Sequence, residues 1–188
     1  MKSKRGTLLF ADDFTSGNLA PKWSVIGGTW TEAGGKLVGS SPATERDPNV
    51  GHVMPVERVV IQFVFSFTGT GEPGIRLNHK EVANPQHLLG VRINVGAPGT
   101  VALNEMSGWS TTTMSAPLDT SPLTLVAGTT YTGVLEVLDR KVAFSVNGKL
   151  VSGMTVDQSA TPKNHIVLAA YGSSVTYYDV KVWQAVPP

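Results

Sequence analysis

Between Tyr131 and Val151 the chain reads YTGVLEVLDRKVAFSVNGKLV, and this stretch constrains the fold more than any other. It predicts two hairpins in series. With Asp139-Arg140 as a two-residue turn, Val137 faces Val142, Leu135 faces Phe144 and Gly133 faces Val146. Those pairs share one side of the ribbon because side chains alternate along a strand. The second turn is marked by Val146-Asn147-Gly148-Lys149, where Asn-Gly supplies the two positive φ angles of a type I′ turn. Such a ribbon cannot bury its apolar side alone, so the sequence demands a second sheet.

Other segments repeat the alternation. Val59–Phe67, VVIQFVFSF, sets Ile61, Phe63, Phe65 and Phe67 on one face and Val60, Gln62, Val64 and Ser66 on the other. Ile75 and Leu77 alternate with Arg76 and Asn78; Leu89, Val91 and Ile93 alternate with Gly90, Arg92 and Asn94. In the last strand Tyr178, Val180 and Val182 are expected opposite Tyr177, Asp179, Lys181 and Trp183. Shorter strands are expected at Leu8-Leu9-Phe10, Trp23 to Ile26, Gly28 to Thr31, Lys36 to Gly39, Gly51 to Met54, Val101 to Leu103, Leu123 to Val126 and His165 to Tyr171. No ten-residue window carries a helical apolar period. About a dozen strands without helices favour two packed antiparallel sheets over a closed barrel.

A chain of 188 residues suffices for one all-β domain. Its 15 basic and 14 acidic groups nearly cancel, which argues against a nucleic-acid partner. The one dense basic run, Lys2-Ser3-Lys4-Arg5, reads as a frayed end. Residues 1–7 are therefore expected as a flexible extension and 8–185 as a single domain. With no cysteine, disulfides and thiolate metal sites are excluded. No segment approaches about 20 apolar residues, so insertion into a membrane as a helix is not expected.

The order of residues resembles the concanavalin A-like lectin/glucanase sandwiches, particularly the laminin-G-like and bacterial 3-keto-disaccharide-hydrolase-like branches. The resemblance begins at Leu9-Phe10-Ala11-Asp12-Asp13-Phe14, Trp23, Gly28-Thr29-Trp30 and Gly35-Lys36-Leu37. It returns at Tyr131 and Val146-Asn147-Gly148-Lys149, and closes at Tyr178-Asp179-Val180-Lys181-Val182-Trp183. It implies an all-β jelly-roll sandwich whose closing strand lies beside the opening one, with ligands met on or beside the concave sheet. It also implies an extracellular or periplasmic setting, although the sequence opens without the apolar run of a signal peptide.

Strand parity places Gln62, Arg76, Asn78, Arg92 and Asn94 on surfaces opposite the apolar stripes, so one shared polar face is expected. Amides there donate to and accept from sugar hydroxyls, and arginine offers a donor fork for carboxylate or sulfate. Two arginines and no carboxylate in this group favour an anionic or highly oxygenated ligand. Trp109, isolated in the polar segment 104–117, is a candidate platform for a pyranose. Trp23, Trp30 and Trp183 read instead as packing residues.

The chemistry of turnover is weakly marked. A glycosidase needs two carboxylates across a sugar, and the E-x-D-x-x-E strand of related glucanases is missing. His79 and Glu136 are the candidate proton carriers. The histidines show no metal-binding spacing, and there is no G-x-S-x-G elbow. Because the resemblance makes first and last strands neighbours, Asp12, Asp13 and Asp179 are a candidate structural calcium site. The leading expectation is recognition of an oligosaccharide or polysaccharide. The alternatives are an enzyme hydrolysing or eliminating on a modified or 3-keto sugar, and a non-catalytic adhesion module.

Overall fold

A computed structural model describes residues 3–41, 49–70, 72–80, 85–94, 99–107, 119–120, 123–155, 163–172 and 174–188. The strands, in chain order, are β1 (Lys4–Asp12), β2 (Ser24–Val25), β3 (Thr29–Glu32), β4 (Leu37–Ser40), β5 (Asn49–Val53), β6 (Val59–Phe67), β7 (Glu72–Lys80) and β8 (Pro85–Asn94). They continue as β9 (Thr100–Ser107), β10 (Asp119–Thr120), β11 (Tyr131–Leu138), β12 (Lys141–Val146), β13 (Lys149–Thr155), β14 (His165–Tyr171) and β15 (Ser174–Val186). One sheet runs β10-β13-β12-β11-β6-β15-β4-β3 with β1 also against β15, and the other runs β2-β5-β14-β7-β8-β9. All their ladders are antiparallel. The result, among the described residues, is an antiparallel jelly-roll sandwich of nine and six strands, with its closing strand beside its opening one.

The meander forms as its residues dictate. Val137 pairs with Val142, Leu135 with Phe144 and Gly133 with Val146. Asn147 and Gly148 adopt φ of 48° and 77° and close the second hairpin. Asp139 takes a φ of 54° in the first turn. On β6, Ile61, Phe63, Phe65 and Phe67 are buried, and each such side chain contributes about 1.5–3 kcal/mol in transfer terms. They meet Ile75, Leu77, Leu89, Val91, Ile93, Ile166 and Leu168 of the six-stranded sheet in one core. The outward face of β6 is not wholly wet, because Val60 packs with Leu138 and Ala185 in a small second cluster beside Trp183.

Three expectations are corrected. Four residues of the segment expected as a flexible extension, 1–7, belong to β1: Lys4 pairs with Val186 and Arg5 with Ala185. Residues 123–126 are not a strand; Val126 there donates its N–H to the Tyr131 hydroxyl at 2.7 Å. In β15 the register slips between Tyr177 and Asp179, which face the adjacent residues Phe65 and Val64, so Tyr178 is an extra residue on that strand. A bulge of this kind reverses the alternation beyond it. Tyr177 therefore turns inward together with Val180 and Val182, whereas Tyr178 meets the Ser66 hydroxyl at 3.0 Å.

Candidate functional site

Parity and register build one polar face on the outside of the six-stranded sheet. Ile75, Leu77, Val91, Ile93, Ile166 and Leu168 point into the core, so Arg76, Arg92 and the odd-numbered residues of β14 point away from it. Arg76 lies opposite Gly90 and Arg92 opposite Gly74, which makes the two arginines diagonal neighbours. The backbone of Asn78 falls opposite Leu88 and His165, and that of Asn94 opposite Thr100. Between these groups the sheet carries Gly51, Gly74, Gly90, Val167 and Ala169. The Arg76 stem lies across one of these glycines, where a Cβ at Gly90 would stand 2.7 Å from its Cγ, and Val167 and Ala169 beside it are fully buried.

Two elements add groups that the sequence reading passed over. Tyr171 of β14 pairs with Glu72 at the start of β7. The Arg92 guanidinium lies 4.6 Å over the Tyr171 ring and donates through Nε (2.5 Å) and Nη2 to Glu72 Oε2. The arginine face thus has a carboxylate after all. Carrying the Arg76 parity two residues upstream past Gly74 would have found it. His165 is the other addition. Burial, with His52 acting in the same direction, holds its pKa below the ordinary histidine value. Its Nδ1 lies 2.8 Å from Asn164 Oδ1.

Other candidates stand elsewhere. Gln62 belongs to the nine-stranded sheet, so it faces away from the arginines across the full sandwich. Its Oε1 accepts from Arg5 Nη2 at 2.8 Å, and the Arg5 guanidinium sits 4.2 Å over the Trp183 ring. Glu136 lies on that same sheet, where its Oε2 accepts the Ser3 N–H at 2.6 Å. His79 falls within β7 at a register shift between Asn78 and Lys80, so it and Glu136 are on different sheets. Trp109 lies outside the described residues. Trp23 and Trp30 are buried.

Asp12, Asp13 and Asp179 do meet, since Ala11 and Asp12 pair with Lys181 and Val180. They line an open pocket of about 240 Å³ together with Ala11, Lys22 and Lys181. Asp12 is fully engaged: Oδ1 accepts from the Phe14 N–H (3.1 Å) and Lys22 Nζ (3.0 Å), and Oδ2 accepts from Trp23 Nε1 (2.8 Å). It does not fit a metal ligand's role, because an ion would have to displace those donors. Asp179 accepts from Lys181 Nζ at 2.8 Å. Hydrogen bonds from the Thr15 hydroxyl and N–H hold the exposed Asp13 carboxyl below its usual range. Asp13 and Asp179 are the pair whose chemistry suits calcium, with two ammonium groups as competitors. Among the described residues, no three His, Asp or Glu side chains are arranged to hold an ion.

No protein-family model matches the sequence, and no curated protein matches it. Solved structures do. A Bacillus subtilis protein with a galectin-like fold superposes with a TM-score of 0.73 at 17% identity, over 100% of both chains. The carbohydrate-binding module CBM66 from Bacillus subtilis gives 0.68 at 9% identity, covering 88% of this chain and 94% of that one. A Bacillus licheniformis β-glucanase gives 0.67 at 11% identity, covering 98% and 100%. At these identities the shared feature is the fold.

Proposed function

We propose that this domain recognises a saccharide on the outer face of its six-stranded sheet. The observation that carries the reading is the convergence of Arg76, Arg92 and Tyr171 on one face above a floor of small residues. An aromatic ring beside donor-rich side chains suits a polyhydroxylated ring, whose two faces are apolar and whose edge is polar. The fold shared with a carbohydrate-binding module and a glucanase supports the same class of ligand. Recognition is favoured over turnover because the described carboxylate of this face, Glu72, is committed to Arg92, whereas a glycosidase needs two working carboxylates.

Trp109, in the polar segment 104–117 of the sequence, belongs to this proposal as a stacking residue. The test is retention on a panel of immobilised polysaccharides, followed by product analysis on each hit. Binding without product is expected. Tyr171→Ala and Trp109→Ala should each weaken a retained sugar by about 1 kcal/mol or more, as truncated aromatic contacts do. Arg76→Ala should weaken it by about 2–5 kcal/mol if its guanidinium pairs with ligand away from water. Unchanged affinity in all three folded variants removes the face from consideration, and turnover of a retained sugar would favour the enzyme reading.

A further inference from the structure

We infer that Glu72 sets the charge preference around Arg92 and Tyr171, cancelling Arg92 and so making that part of the face one for a neutral rather than an acidic saccharide. The inference rests on the saccharide reading above and deepens it. Its basis is the way Arg92 is held. An arginine captures a carboxylate by offering two parallel N–H groups from one edge of its planar fork. Here the Nε–Nη2 edge is already spent on Glu72 Oε2. One flat side of the guanidinium is spent on the Tyr171 ring, 4.6 Å away.

Register explains why the arginine turns this way. Arg92 stands opposite Gly74, which puts no side chain in its path, and Glu72 is the diagonal neighbour that the fork can reach. Glu72 in turn is paired with Tyr171, so carboxylate and ring are adjacent. The Glu72 side chain is 18% exposed and that of Arg92 50%. The acid is thus the shielded partner, and the flat guanidinium belongs to a half-exposed side chain. A pyranose can lie on that flat surface. A uronate or sulfate brought there meets a neutralised arginine and a fixed negative charge beside it, and such repulsion is an effective way to reject a ligand.

The experiment compares wild type, Glu72→Gln, Glu72→Ala and Glu72→Ala/Arg92→Gln by affinity electrophoresis. The gels contain a neutral β-glucan, a neutral fructan or polygalacturonate, and folding is verified by Tm. Glu72→Ala leaves no acceptor for the fork, so it keeps the test valid if glutamine still holds Arg92. Both single variants should gain polygalacturonate affinity by about tenfold, the equivalent of one hydrogen bond to a charged group. The gain should shrink with added salt and vanish in the double variant. Wild-type protein that holds polygalacturonate as tightly as a neutral polymer overturns the inference, as does the absence of any gain. A gain without retention of either neutral polymer supports the role of Glu72 and counts against the saccharide reading itself.

Discussion

The phenyl ring of Phe63 lies directly over Gly133, its cross-strand partner: a Cβ built at 133 would stand 2.5 Å from Cζ and 2.9 Å from both Cε atoms. The ring occupies the space that a side chain at 133 would need. It stacks on Phe144 at 6.1 Å and touches Phe65 and Tyr177, so the first hairpin of the meander is fastened to β6 through an aromatic group lying on a glycine. Trp30 repeats the device over its partner Gly39, where a Cβ would meet Cζ3 at 2.5 Å.

Phe63→Ala should therefore cost about 3–5 kcal/mol, through lost transfer energy and the cavity left behind. Gly133→Ala should cost about 1–3 kcal/mol by overpacking. In the double variant the new methyl enters the vacated space, so the two costs should sum to less than their separate values. Urea midpoints of the four proteins give the cycle. Strict additivity, or a Phe63→Ala loss below about 1 kcal/mol, would refute the packing described.

Tyr177 ties one sheet to the other. Its hydroxyl accepts the Gly74 N–H at 3.1 Å and lies 2.9 Å from the Gly74 carbonyl and 2.7 Å from that of Ala169. Burial pushes its pKa well up, so the group stays a neutral donor. Tyr177→Phe keeps the ring but strips a buried N–H of its partner. The expected loss is about 1–3 kcal/mol, read from denaturant unfolding. A fully stable phenylalanine variant would show that the tie contributes nothing.

These two contacts mark where the sequence was legible and where it was not. Leu135 against Phe144, and Ile61 with Phe63 and Phe65 as a core stripe, follow from local alternation and from turn chemistry at Asn147-Gly148. Tyr177 did not follow, because a single extra residue, Tyr178, inverts parity and only the partner strand reveals it. Gln62 was misassigned for a related reason. Alternation tells which side of its own sheet a residue faces, and Gln62 and Arg76 alternate correctly in two different sheets. Glu72 was missed because the alternation was read from Ile75 onward, whereas β7 begins at Glu72, with Pro73 and Gly74 between. Carrying strand parity through such residues is what would have recovered it.

His165 gives the fold a pH dependence of known sign. Its pKa is lowered from 6.5 in the folded protein, mainly by burial. As pH falls through about 6.5 the unfolded chain takes up this proton first, so stability falls. The contribution is fully present above that pH, and it is lost progressively toward the lower folded value. In His165→Gln the Tm should decline less between pH 7 and pH 5 than in the wild type. Equal slopes in both proteins would remove His165 as the source.

The pocket joining β1 to β15 carries the last prediction. Asp12 is held by Phe14, Trp23 and Lys22, so it serves the fold whether or not an ion is bound. Asp12→Ala leaves the buried Phe14 N–H and Trp23 Nε1–H without their acceptor, at about 1–3 kcal/mol for each unsatisfied donor, while the half-exposed Lys22 ammonium returns to water. A calcium ion in this pocket would therefore draw on Asp13 and Asp179, against the Lys181 ammonium at 2.8 Å from Asp179. Lys181→Met removes the competitor. An ion that binds only the folded chain stabilises it by RT ln(1 + [L]/Kd), so Tm rises with ion concentration. After chelation, millimolar calcium should thus raise the Tm of Lys181→Met more than that of the wild type. Magnesium should do less in either protein, because it gives up its water shell reluctantly. If calcium leaves both proteins unmoved, the carboxylates of this pocket hold lysines and no ion.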